Sequence, residues 1–251
     1  MSKTSEGFQP VAHNSPDKDI KAKLIFYVRM LVDFQMNTVY RFMKKHLPSL
    51  RGKVLDVGCG NSPFRHLLDA SRTEYTGADI AAATHFKYNA QDIVQFDGAH
   101  LPFEDNSIDN IICTEVLEHA ESPDTLCAEI IRVLKPAGAA YVTIPWSARF
   151  HYIPYDYNRF TPTRIKQLFA KAAQVDIAPR GTDMSAIGNK IIVMYARSLT
   201  TFGPAYPIRL LLCLVFLPAL LLAVVMGFLS LYIKIGTTED PLGYSIILKK
   251  T

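Results

Sequence analysis

A glycine pair and two acids stand in this sequence where a chain would hold a charged small ligand. Asp56-Val57-Gly58-Cys59-Gly60 closes a short apolar run, and glycines at such a point let backbone pass close to a bound molecule. Asp79 ends a second apolar run and Asp97, followed by Gly98 and Ala99, ends a third. Asp56 can face the ligand or merely cap the turn, and Asp97 can be an ordinary strand-end acid. Further on, residues 145–161 interleave aromatics and hydroxyls with ionisable groups: Trp146, His151, Tyr155, Asp156, Tyr157 and Arg159 among them. Such a wall can stack on a ring or sugar while hydrogen-bonding its edges. Alternatively it covers the core, with Arg159 bridging to an acid. His151 is the first candidate for a general base and His119 the second, with Asp156 beside them.

The elements that must position these residues alternate. A long helix is expected over Ile20–His46, where Leu24, Val28, Leu31, Val32, Val39, Phe42 and Met43 recur at helical spacing. Its basic residues could touch anionic lipid, but packing on the domain is the preferred reading. Strands follow at Lys53–Val57, Thr73–Ile80, Asp92–Asp97, Ser107–Cys113, Ala139–Ile144 and near Val175–Ile177. Helices are expected after the glycine turn, with Pro63 in the first turn, at Pro123–Leu134, and from Pro162 through Ala173 with Thr161 as N-cap. This alternation predicts an α/β, Rossmann-like, doubly wound sheet, whose ligands bind beyond the carboxyl ends of the strands.

With 251 residues, 49% hydrophobic and 20% charged, the chain has a globular composition. A net charge of +4 without a basic cluster gives no reason to expect a nucleic-acid partner. Cys59, Cys113, Cys127 and Cys213 lack paired spacing and are expected to be reduced thiols. Residues 1–19 read as a flexible polar tail.

Val54–Gly60 resembles the first motif of class I S-adenosylmethionine (SAM)-dependent methyltransferases. The run from Phe96 to Asp109, containing Leu101-Pro102-Phe103, together with Thr114–His119 and Glu129–Gly138, resembles their type-11 branch. Ile108 and Ala137 depart mildly from that pattern. The resemblance covers roughly residues 50–180 and implies SAM as cofactor. It places Gly58 and Gly60 by the methionine moiety, Asp79 on the ribose, and Asp97, Gly98 and Ala99 by the adenine, with Asp56, Cys59, Ile80 and Glu115 also at the cofactor. A dinucleotide reading is disfavoured because the third small residue of a Gly-x-Gly-x-x-Gly run is absent. Some methyltransferases of this fold bind Mg²⁺ with a Glu-x-x-Glu-His cluster like Glu115, Glu118 and His119, but no metal is assigned here. Residues 156–161 resemble a stretch of type-11 enzymes that sit among cell-surface polysaccharide functions, and the chemistry of the wall makes Trp146, Tyr155, Tyr157 and Arg159 the acceptor-contact candidates.

Twenty-four residues, Leu210–Ile233, carry no charge between Arg209 and Lys234. As one helix they would measure roughly 36 Å, against a bilayer core of about 30 Å. Leu242–Lys250, however, resembles the last strand of this fold, antiparallel between strands five and six, which requires both ends of the run on one side. Pro218 favours a break. The preferred reading is therefore an insertion over residues 199–240 that dips into a bilayer through residues 208–234 and returns, at the cytoplasmic face. A single span, and buried helices or a dimer interface, stay open. Together these readings predict a membrane-associated methyltransferase acting on a hydroxyl of a glycan, glycolipid or other hydrophobic acceptor. A small lipid-soluble ring compound and a non-catalytic SAM-binding scaffold are the alternatives.

Overall fold

Consecutive residues of a strand face opposite sides of its sheet, and the apolar positions of this chain use both. In the strand Ile108–Thr114, Ile111 packs into one core and Ile112 into the other. The computed structural model describes residues 15–16, 19–80, 93–200, 203–233 and 235–251. The expected tail lies almost wholly outside the described residues, as do Lys234 and Asp92.

Seven strands form one sheet: β1 (Gly52–Val57), β2 (Thr73–Ile80), β3 (Ile93–Phe96), β4 (Ile108–Thr114), β5 (Leu134–Pro145), β6 (Gln174–Arg180) and β7 (Gly243–Lys249). Their order is β3-β2-β1-β4-β5-β7-β6. The pairs among β1 to β5 are parallel, and β7 is antiparallel to both β5 and β6. The fold class and the place of the last strand are as the sequence predicts. The helices are α1 (Ile20–Arg29), α2 (Phe34–His46), α3 (Pro123–Val133), α4 (Pro162–Leu168), α5 (Asp183–Thr200), α6 (Tyr206–Val215) and α7 (Leu217–Ile233). One core lies under α3 and α4, with Leu126, Ile130 and Ile165 fully buried, and the other under α1 and α2, with Met43 and Leu47 fully buried.

Four local expectations are corrected. The leading helix is two helices, because Asp33 accepts a hydrogen bond from Met36 N (3.0 Å) and restarts the helix as an N-cap. Leu24, Val28, Leu31 and Val32 of that segment are exposed, while Phe26 and Met30 are buried in their place. The glycine turn leads into no α-helix, only a 3-10 turn at Arg65–Leu67. Phe64 plugs the α1–α2 core, and Asp69 closes a turn on Ser71 (N–H donor, 3.0 Å), which together use up the segment. Finally, α4 stops at Leu168 rather than Ala173, because Ala173 N already donates to Lys249 O on β7 (2.9 Å).

The apolar run is two helices, α6 and α7, bent by 62° at Phe216. Among the described residues no single helix is long and apolar enough to cross a membrane, although the bent pair is by length and composition. One face of α7 is packed. Gly188 of α5 and Gly227 of α7 meet back to back, and Phe34 of α2 fills the joint. A side chain at Gly227 would start 2.7 Å from the Phe34 ring and 3.3 Å from Gly188 Cα. Gly227→Val is therefore expected to lower stability by about 1–3 kcal/mol, read as a fall of several degrees in thermal midpoint. Val225→Ala, at an exposed position of the same helix, should change it little. Equal effects would contradict the packing.

Candidate cofactor and acceptor site

The loop after β1 is shaped by left-handed backbone. Gly58 has φ +68°, Gly60 +50° and Ser62 +51°, a region that costs little only for glycine. Gly58 N and Cys59 N both donate to Ala78 O (2.8 and 3.2 Å), which docks the loop on the end of β2. A Cβ on Gly58 would also collide with Val116 Cγ2, so the loop lies tight against the segment after β4. Asp79, nearly buried at the end of β2, accepts from Gly60 N through Oδ2 and from Ile80 N through Oδ1, each at 2.8 Å. Asp56 is buried on β1 and accepts from Tyr75 Oη (2.8 Å), which also lies 2.8 Å from Ser62 Oγ. Burial pushes the Asp56 carboxyl up to about 7.

The opposite wall is ionisable. Glu115 sits at φ +53°, a conformation that a non-glycine residue adopts at a cost. Its Oε1 accepts from Arg180 Nη2 (2.7 Å). The buried Arg180 also donates to Ile144 O (3.0 Å) and to Thr38 Oγ1 (3.1 Å). Glu118 is fully buried, and burial raises its carboxyl well above the usual range. His119 Nδ1 is 2.6 Å from Tyr155 O, and burial lowers its pKa to about 4. His151 Nδ1 lies 2.9 Å from both Asp156 Oδ2 and Arg149 O. The two imidazole rings meet edge to face at 4.9 Å.

Between these walls lies an open cleft of about 1070 Å³, lined by Gly58, Cys59, Gly60, Glu115, His119, Ser147 and His151. It continues past Ile25, Arg29 and Val32 to α5, through Lys190, Ile192, Met194 and Arg197, and to Arg209 of α6. A glycine loop, a strand-end acid and a cleft at the carboxyl ends of parallel strands are now in one place.

Residues 55–142 match the methyltransferase domain family. The fold is the class I methyltransferase fold. A SAM-dependent methyltransferase from Archaeoglobus fulgidus superposes with a TM-score of 0.53 at 17% identity, covering 91% of this chain and 99% of that one. An uncharacterized protein of Methanocaldococcus jannaschii is 31% identical over 122 residues, 47% of this chain and 53% of the relative. Sterol 24-C-methyltransferase of Schizosaccharomyces pombe is 35% identical over 102 residues, 34% of this chain and 26% of that enzyme. The matches thus span from a quarter to about half the length of these curated relatives. The residues fit a SAM-type cofactor: Gly58 and Gly60 line the cleft, and Asp79 puts a buried acid beside Gly60.

The structure brings Gly58, Cys59, Gly60, Glu115, His119 and His151 of the expected site residues to one cleft. Asp56, Asp79 and Ile80 do not line it, although Asp79 accepts from its Gly60 and Asp56 lies near the end of β1, just before the glycine loop. Asp97 is exposed and accepts from Ala99 N (2.8 Å) and His100 N (2.6 Å), closing a turn in which Gly98 approaches Ile80. The neighbouring residues 81–92 lie outside the described residues. Trp146 Nε1 donates to Asp240 Oδ1 (2.9 Å). Tyr157 Oη donates to Glu121 Oε1 (3.1 Å), and both Tyr155 and Tyr157 are half-exposed. Arg159 is held on Asp156 by two hydrogen bonds of 2.6 and 2.8 Å. Tyr75 and Arg180 carry no signal in the sequence that marks them as site residues. Only the register of β2 on β1 and the far end of β6 give them their roles.

The buried ionisable groups predict opposing pH effects. An acid raised to about 7 favours its protonated form in the fold, so Asp56 costs stability as pH rises from about 4 to 7. A histidine lowered to about 4 favours its neutral form, so His119 costs stability as pH falls from about 6.5 to 4. In urea unfolding, Asp56→Asn should gain on the wild type as pH rises through that window, by on the order of a few kcal/mol. His119→Gln should gain as pH falls through it. A pH-independent difference for either variant would contradict the burial of that group.

Proposed function

We propose that this protein is a SAM-dependent methyltransferase, held at the cytoplasmic face of a membrane by α6 and α7, that methylates a hydroxyl of a lipid-linked acceptor such as a glycolipid. The observation that carries the reading is the course of the cleft. It begins at the glycine loop and ends among Arg29, Lys190, Arg197 and Arg209, interspersed with Ile25, Val32, Ile192 and Met194. A basic and apolar rim of this kind suits an acceptor with an anionic headgroup on an apolar tail. Around that rim α6 buries none of its residues, and Leu211, Leu214, Leu221 and Leu222 are exposed, as are Leu24 and Val28 of α1. Exposed apolar surface of this extent marks an interaction site. The relatives named for sterol methylation add support for a lipid-like acceptor.

In this reading Gly58 and Gly60 admit the cofactor backbone to backbone, Asp79 holds its sugar, and Asp56 lies on the side of its charged end. SAM supplies an electrophilic methyl group on a sulfonium. The protein aligns the acceptor oxygen with it and keeps water out. The acceptor hydroxyl meets the wall formed by His119 and His151. His151 is oriented by Asp156, which Arg159 in turn fixes, so this pair can take the hydroxyl proton.

Membrane lipid extract incubated with purified protein and SAM labelled in its methyl group should yield label in the lipid phase. The protein should float with liposomes containing anionic phospholipid. Leu211→Asp combined with Leu222→Asp should abolish flotation while leaving affinity for S-adenosylhomocysteine within about twofold. Label confined to water-soluble products, or flotation untouched by the double substitution, would contradict the reading.

A further inference from the structure

Glu118 is a buried acid that no cation compensates among the described residues. It is fully buried, and neither carboxylate oxygen has a hydrogen-bond partner. An ionised carboxylate in such a place needs a compensating charge. The guanidinium groups nearby are committed elsewhere, Arg159 to Asp156 and Arg180 to Glu115. His119 Nε2 lies 3.7 Å from Glu118 Oε1.

We propose that Glu118, His119 and His151 bind a divalent transition-metal cation in the wall of the cleft. One donor atom from each of the three lies within 4.8 Å of the others. Bonds of about 2.1 Å require donors roughly 3–3.5 Å apart, a contraction that side-chain rotation can supply. The histidines are already set for the task. Nδ1 of His119 faces the Tyr155 carbonyl at 2.6 Å, and Nδ1 of His151 faces the Arg149 carbonyl and Asp156 Oδ2 at 2.9 Å. Each Nδ1 therefore carries its proton toward an acceptor, which leaves Nε2 with a lone pair for the cluster. Metal-ligating histidines are oriented in this way, by a carbonyl or carboxylate on the other ring nitrogen. Asp156 is itself clamped by Arg159, so the supporting shell is complete.

The donor set chooses the ion. Two imidazoles and one carboxylate suit Zn²⁺, Mn²⁺, Fe²⁺ or Co²⁺, whereas Mg²⁺ prefers oxygen alone. The sequence alone assigns no metal, and the structure changes the members of the cluster. Glu115, the first acid of the Glu-x-x-Glu-His run, is taken by Arg180, and His151 from the loop after β5 replaces it. Three protein ligands leave coordination positions open toward the cleft that His119 and His151 line. An acceptor oxygen can fill one, a role that rests on the methyltransferase reading above. His151 is then a ligand rather than the base, and the bound cation acidifies the hydroxyl so that its proton leaves to water.

Metal binding is measured on the full-length protein, stripped with chelator and titrated with Zn²⁺ and with Co²⁺. The wild type should take up one equivalent, and Co²⁺ should give visible d–d absorption. Glu118→Gln and His151→Ala should each weaken binding by about 100-fold or more, and Asp156→Asn by about 10–100-fold. Glu104→Gln, an exposed carboxylate remote from the cluster, should bind as the wild type does. Retained affinity for S-adenosylhomocysteine shows that each variant is folded and separates this test from that of the methyltransferase reading. No stoichiometric binding by the wild type, or binding unchanged in both Glu118→Gln and His151→Ala, overturns the proposal. The latter is also the result expected of a His151 that acts as a base alone.

Discussion

The structure depends on one closure: the last seven described strand residues of the chain must enter the sheet between two strands already made. Every residue of β7 is in register with β5 on one side and β6 on the other, so an edge that would otherwise lie open is filled. Arg180 pins the same corner. From the end of β6 it reaches Ile144 O on β5, Tyr244 O on β7, Thr38 on α2 and Glu115 beyond β4. A buried cation holding four elements resists removal, because each partner would be left desolvated and unpaired. The closure also dictates what the apolar segment can do. Chain leaving β6 through α5 must come back to β7, so α6 and α7 form an excursion whose two ends meet the same side of the domain.

That constraint links the greasy helices to the chemistry. α5 lies between them, packed on α7 through the Gly188–Gly227 contact and facing the cleft through Lys190, Ile192 and Met194. The cleft consequently has one end built of strained, polar backbone and the other of apolar and basic side chains. Left-handed conformations at Gly58, Gly60, Ser62 and Glu115 gather at the first end. The surrounding packing over-determines them, as strain at a working site requires.

Much of this was legible in the residues. The glycine loop, the acids at the ends of β1 and β2 and the alternation of strands with helices are local signals, whereas the final strand is legible only through the resemblance of Leu242–Lys250 to the last strand of this fold. Where reading failed, the deciding contact was distant in sequence. The sequence predicts a helix opening with Pro63, just before Phe64. The burial of Phe64 against α1 and α2, which leaves no α-helix after the loop, needed the tertiary partner. Asp33 falls within a helical apolar pattern, and only its capping bond shows that the pattern belongs to two helices. The same pattern misassigned Leu24, Val28, Leu31 and Val32 to the core, because periodicity reports that a helix has an apolar face without naming what covers it. His151 and Asp156 were visible as candidates. Their junction with Glu118, 33 residues before His151, was not.

The central claim is that the cradle at Gly58–Gly60, backed by Asp79, holds a SAM-type nucleoside. Titration calorimetry with S-adenosylhomocysteine addresses it without an acceptor, a membrane or a metal. One molecule bound per chain, with binding lost in Gly58→Val, where a side chain would strike Val116 and strain a left-handed backbone, is the predicted outcome. Absence of measurable binding by the wild type, or binding undiminished in Gly58→Val, would contradict it.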